Sequence, residues 1–164
     1  MKTALKTKKK QPTQAQLRRA FEKATKLSQI LAIALHDLKK VERNKKFVVD
    51  MGTWYYPTET KTCEVCLAGA VMVGRYGKFV EAWGVGVSPE KFSKHDDATH
   101  KFYALDSLRC GYLAAALSHM GVNPKEYVGD GVEPIRTVAE YHDDKNQWWA
   151  DMRKLLADLK KAGL

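Results

Sequence analysis

Cys63 and Cys66 are the residues with the sharpest chemical character, set just ahead of an uncharged apolar run, Val65 to Val73. A thiol at a helix N-terminus has a lowered pKa, and a Cys-x-x-Cys pair suits thiol–disulfide exchange. That chemistry goes with a βαβ pattern, which this chain lacks. A zinc site needs four ligands, and there is no second Cys-x-x-Cys and no His-x-x-x-His. His95-Asp96-Asp97 with His100, and His142-Asp143-Asp144, are polar clusters with the donors to share a cation. The same residue types cap helices. As a nucleophile, either cysteine would need a base from His95, His100, His119 or His142, and spacing selects none of them. There is no phosphate-binding loop, nucleophile elbow or dinucleotide fingerprint. The sequence therefore predicts structural thiols and capping turns, with no catalytic residue, no metal and no cofactor. A cysteine- or metal-dependent enzyme, using the Cys63/Cys66 region with a histidine, is the alternative.

Charge gives a second kind of site. The net charge is +9 over 164 residues, but residues 1–46 hold 14 Lys and Arg against three acids, Glu22, Asp37 and Glu42, giving +11. The remaining 118 residues hold 14 basic and 16 acidic side chains, giving −2. A near-neutral body with one basic end is the electrostatic footprint of a polyanion or an acidic protein face. The contact residues expected are Lys2, Lys6, Lys8, Lys9, Lys10, Arg18, Arg19, Lys23 and Lys26. Trp148 and Trp149 are adjacent and cannot share a helix face, which places Trp149 near the surface as a partner-binding candidate.

Residues 1–12 read as a flexible basic tail ending at Pro12. Residues 13–164 read as a single α-rich domain, long enough to bury a core. Thr13 and Gln16 form a capping-box pattern, and an apolar stripe from Leu17 to Val41 predicts one helix running to about Asn44. At 1.5 Å per residue it would span about 45 Å, enough to project or to pair with a second copy of the chain. Phe47-Val48-Val49 and Trp54-Tyr55-Tyr56-Pro57 predict short extended segments. A buried helix is expected from Thr62, as N-cap, to about Tyr76, stopped by Gly77, with Cys66, Gly69, Ala70 and Val73 on a face that admits another helix closely. Phe79–Val87 reads as a loop or strand, Ser88-Pro89-Glu90 as a short helix start, and Ala98–Met120 as one helix stopped by Gly121. Residues 128–132 read as a loop. A last helix is expected from Pro134 towards Lys161, divided near residues 142–146. The fold class is thus mainly α: a single-domain helical bundle with a long N-terminal helix and a minor extended or β element.

Three stretches carry a resemblance. They are Leu35-x-Asp37-Leu38-x-x-Val41-Glu42, then Asp50-Met51-x-x-Trp54-Tyr55-x-Pro57, then Cys63-x-Val65-Cys66-Leu67-Ala68-Gly69-Ala70-Val71-Met72, with a weaker echo in Ala104–Arg109 and Gly111. This pattern resembles a family of small proteins from tailed bacteriophages and prophages. It covers about a quarter of the chain. The resemblance implies a phage setting and nothing catalytic, and the basic N-terminus is not part of it.

No run approaches the roughly 20 apolar residues of a membrane helix, and no apolar stretch follows the first lysines as in a signal peptide. Three cysteines suggest no disulfide framework. The expectation is a small accessory protein in the host-cell cytoplasm, without membrane contact, that binds nucleic acid or an acidic host protein. A virion or assembly component is a further alternative.

Overall fold

The computed structural model describes residues 11–52, 54–58, 62–77, 96–128 and 141–164. Most of the expected tail, the expected loop or strand at 79–87, the helix start at 88–90, and the segment 129–140 lie outside these residues.

Helix α1 (Gln14–Glu22) begins on the expected capping box: the Thr13 hydroxyl accepts from the Gln16 N–H at 3.3 Å, and the Gln16 side chain accepts from the Thr13 N–H at 2.8 Å. It does not run on to residue 44. A second helix, α2 (Leu27–Val41), starts after a break. In a continuous helix the Thr25 and Lys26 N–H groups would bond the carbonyls of Phe21 and Glu22. Here Lys101 donates its buried ammonium to both carbonyls, at 3.2 Å to Phe21. The Gln29 side chain accepts from both N–H groups, at 2.9 and 3.2 Å. Two side chains thus replace two helical hydrogen bonds. The projecting helix that suggested pairing with a second copy is two shorter ones.

Strands β1 (Phe47–Val49), β2 (Tyr55–Pro57) and β3 (Cys63–Val65) form a sheet in the order β1-β3-β2. β1 runs parallel to β3, with Phe47 opposite Cys63, and β2 runs antiparallel, with Tyr55 opposite Val65. The expected helix from Thr62 is therefore a strand for its first turn. Pairing on both sides satisfies the backbone of 63–65 in extended form and overrides local helix signals. Cys66, not Thr62, is the N-cap of α3 (Leu67–Val71), which continues as a π-helical turn, Met72–Tyr76, and stops at Gly77. Gly77 has φ +49°, so the predicted stop is where it was expected.

Helix α4 (Asp96–Arg109) and helix α5 (Leu113–His119) replace the single helix expected over 98–120. Gly111, at φ +83°, turns the chain, and the Tyr112 N–H closes on the Ser107 carbonyl at 2.8 Å. After α6 (Lys125–Val128), Asp144 caps α7 (Lys145–Lys161) by accepting from the Gln147 N–H at 2.9 Å. Helix α7 lies antiparallel to α2. Its first turns reach Glu42, while the Ser28 N–H donates to Leu164 at 3.2 Å.

α2 buries Leu27, Ile30, Leu31, Ala34, Leu38 and Val41 against α3, α4, α7 and β1. At about 1.5–3 kcal/mol per large aliphatic side chain, this face is a main source of stability. Trp54, Phe21, Tyr76 and Phe102 stack edge-on and tilted beside it, Phe21 and Phe102 at 5.1 Å.

Small residues on α3 were expected to admit a helix. At Gly69 they admit a loop: a Cβ there would lie 1.6 Å from the Trp54 carbonyl oxygen. The carbonyl belongs to paired backbone, since it also accepts from the Cys66 N–H. Gly69→Ala should therefore lose about 3 kcal/mol or more in urea unfolding, at the upper end of overpacking effects; a loss under about 1 kcal/mol would mean the Trp54 loop moves aside freely.

Candidate functional site

The thiol chemistry is the first candidate, and its geometry is unfavourable. Cys66 is fully buried at the start of α3, and burial pushes its thiol up to about 11. A reactive cysteine needs the opposite shift. The charged groups that act on it are Arg109 and Asp106, not an imidazole. Cys63 opens β3, half-buried, and Cys110 is exposed. His119 stacks on Tyr103 at 5.4 Å, and His142 is exposed with Nε2 3.9 Å from Asp50 Oδ1. His95 and the side chains of Asp96 and Asp97 lie outside the described residues. Among the described residues, no three His, Cys, Asp or Glu side chains converge as a metal site.

Two polar centres, one buried and one half-buried, tie the helices to one another and to the chain at Met51 and Trp54. In one, Arg75 on the π turn donates to Asp37 of α2 at 2.6 Å and to the Leu17 carbonyl of α1 at 2.6 Å. Arg75 and Asp37 side chains are 5% and 1% exposed, so both charges are desolvated and depend on each other. In the other, Asp106 accepts from the Trp54 indole and from Arg109, and Arg109 donates to the Met51 carbonyl at 2.6 Å. This clamp ties Met51 and Trp54 to α4. Every polar atom named in these two centres has a protein partner, so their chemistry is structural.

A third centre sits on Glu42, at the end of α2. Its Oε1 accepts from the Tyr141 hydroxyl at 2.6 Å and the Trp149 indole at 3.0 Å, and pairs with Lys145 at 3.0 Å. Burial alone would raise the Glu42 pKa, but these donors outweigh it and hold the carboxyl below its ordinary value. Trp149, expected at an interface, is half-buried, stands edge-on to Trp148 at 5.2 Å, and uses its indole N–H inside the chain.

These centres determine what the surface shows. All three carboxylates of the basic segment are engaged: Glu22 with Arg18 at 3.4 Å, Asp37 with Arg75, and Glu42 with Lys145. Arg18 is therefore not a free contact. Arg19, Lys23 and Lys26 are exposed as expected, and so are Lys39, Lys40, Arg43, Lys45 and Lys46. Among the described residues none of these eight cations is ion-paired. The last five were not singled out from the sequence, although the charge split already ran to residue 46. Lys2, Lys6, Lys8, Lys9 and Lys10 lie outside the described residues. A shallow cavity of about 420 Å³, lined by Ala20, Lys23, Ala24, Gln29 and Ile33, opens beside the α1–α2 break.

No protein-family model, no curated protein and no solved structure matches the chain. No helix among the described residues is long and apolar enough to cross a membrane.

Two outcomes check this electrostatic picture. Because the folded-state pKa of Glu42 lies below 4.5, its contribution is complete above that value and is lost as pH falls through and below it. Glu42→Gln should lower the stability by about 1 kcal/mol at neutral pH and should shrink the further loss on acidification, measured by urea unfolding across pH. A native-state thiol titration should label Cys110 readily and Cys66 only on unfolding; fast native labelling of Cys66 would instead support a reactive thiol.

Proposed function

We propose that this is a small, basic, phage-type accessory protein that acts in the host-cell cytoplasm by binding a polyanionic macromolecule, not by catalysis. The macromolecule is nucleic acid or the acidic surface of a host protein. One observation carries this reading: the basic segment keeps its three carboxylates in internal contacts and leaves eight cations on its exposed surface. Such a surface attracts polyanions at long range and releases counterions on contact. The five lysines of residues 1–10 add to the same end of the sequence. The buried, raised thiol of Cys66 argues against the cysteine-enzyme alternative.

Binding of labelled duplex DNA and of labelled polyglutamate, followed by fluorescence anisotropy, tests the proposal. The full chain should bind at least one of them at low salt. Affinity should drop about a hundredfold or more between roughly 50 and 200 mM salt, and fall again when residues 1–12 are removed. No binding to either polyanion at low salt would overturn the proposal.

A further inference from the structure

We infer that the outer face of α2, from Lys26 to Arg43, lies along the phosphate backbone of double-helical nucleic acid. The inference rests on the polyanion-binding reading and commits it to one partner. Gln29, Ile33, His36 and Lys40 follow one another at steps of three or four residues and share one side of the helix, with Lys26 as its N-cap and Arg43 just past its C-cap. All are exposed except Ile33, which is half-buried. The row spans about 25 Å at 1.5 Å per residue. It contains no carboxylate. Asp37, at its margin, is buried, paired with Arg75 and in contact with His36 Nδ1 at 3.1 Å, and Glu42 is turned to α7. Lys23, the C-cap of α1, flanks the row across the cavity lined by Ala20 and Ala24, and Lys39 is exposed beside Lys40.

The partner follows from what this face has and lacks. Its cations stand in two groups, Lys26 with Lys23 at one end and Lys39, Lys40 and Arg43 at the other, about 20 Å apart along the helix, which suits a stiff, evenly charged rod that spans both groups. One strand of duplex places a phosphate about every 3.4 Å, so the row runs beside about seven. The face holds no Trp, Tyr or Phe. Single-strand binders need such rings as stacking platforms, and protein interfaces take much of their affinity from buried aromatic anchors. The other sides of α2 are packed against α3, α4, α7 and β1, so the helix cannot sink into a major groove. Contact with phosphates rather than base edges gives affinity without sequence preference. The small side chains of Ala20 and Ala24 leave room beside Lys23 for the backbone to approach.

The test compares the full chain with two variants on three labelled probes: a duplex of about two helical turns, a single strand of the same length, and polyglutamate. One variant carries Lys26→Gln, Lys40→Gln and Arg43→Gln together; the other carries Arg153→Gln and Lys154→Gln on α7, exposed and away from the row. Urea unfolding confirms that each is folded. The duplex should bind tightest. The triple variant should lose duplex affinity by tenfold or more and flatten the salt slope by about three, while the α7 variant stays within about twofold of the parent chain. Single strand or polyglutamate binding as tightly as duplex would overturn the inference. So would an unchanged triple variant in a chain that still binds polyanions and loses binding only when residues 1–12 are removed; the broader proposal then stands. Failure to bind any probe would overturn both.

Discussion

The guanidinium of Arg75 holds three elements at once: Asp37 of α2, the Leu17 carbonyl of α1, and the π turn on which it sits. Neither charge has water to fall back on; besides each other, Arg75 has the Leu17 carbonyl and Asp37 the His36 imidazole at 3.1 Å, so removing one partner leaves the other undercompensated, at about 3–5 kcal/mol. An apolar pair could be as stable but would not be directional. The site also depends on Gly74, where a Cβ would come within 3.0 Å of the Asp37 carboxyl carbon. The π turn and the glycine together let a long cation reach a carboxylate buried on the neighbouring helix.

α1 is attached by the same principle. Arg75 takes its Leu17 carbonyl, Lys101 takes the carbonyls of Phe21 and Glu22, and the Gln14 side chain donates to Gly74. Three of these contacts bind backbone of α1, so they fix its position without fixing its side chains. The outward positions of α1 remain available for Arg19 and Lys23. In this way the inner polar network and the outer charge are linked: each carboxylate drawn inward removes a negative charge from the basic surface. Residues 11–46 carry nine basic and three acidic side chains, a net +6; with the three acids and Arg18 paired, eight cations outside ion pairs remain on the surface.

Some of this was legible in the chain. The capping box at Thr13, the extended runs at 47–49 and 55–57, the stop at Gly77 and the polar cap at Asp144 rest on contacts within a few residues, and local residue types decide such contacts. The apolar stripe of α2 is legible for the same reason, since a 3.6-residue period shows which side is buried. The +11/−2 charge split is a property of composition alone. The extended run at 55–57 leaves Tyr56 exposed, while Trp54 just before it is buried at 9% exposure.

What the residues could not disclose are the decisions made by partners distant in sequence. No glycine or proline marks residues 23–26; the helix breaks there because Lys101 and Gln29 take over its hydrogen bonds, and Lys101 is about 80 residues away. The strand at 63–65 exists because β1 and β2 pair with it on both sides, and Gly69 is required by the Trp54 carbonyl rather than by a helix. The Asp37–Arg75 pair spans 38 residues and the Glu42–Trp149 bond 107. Sequence fixes charge and periodicity because they are additive along the chain. Which charges are cancelled and which reach solvent depends on three-dimensional pairing, and only the folded structure decides that.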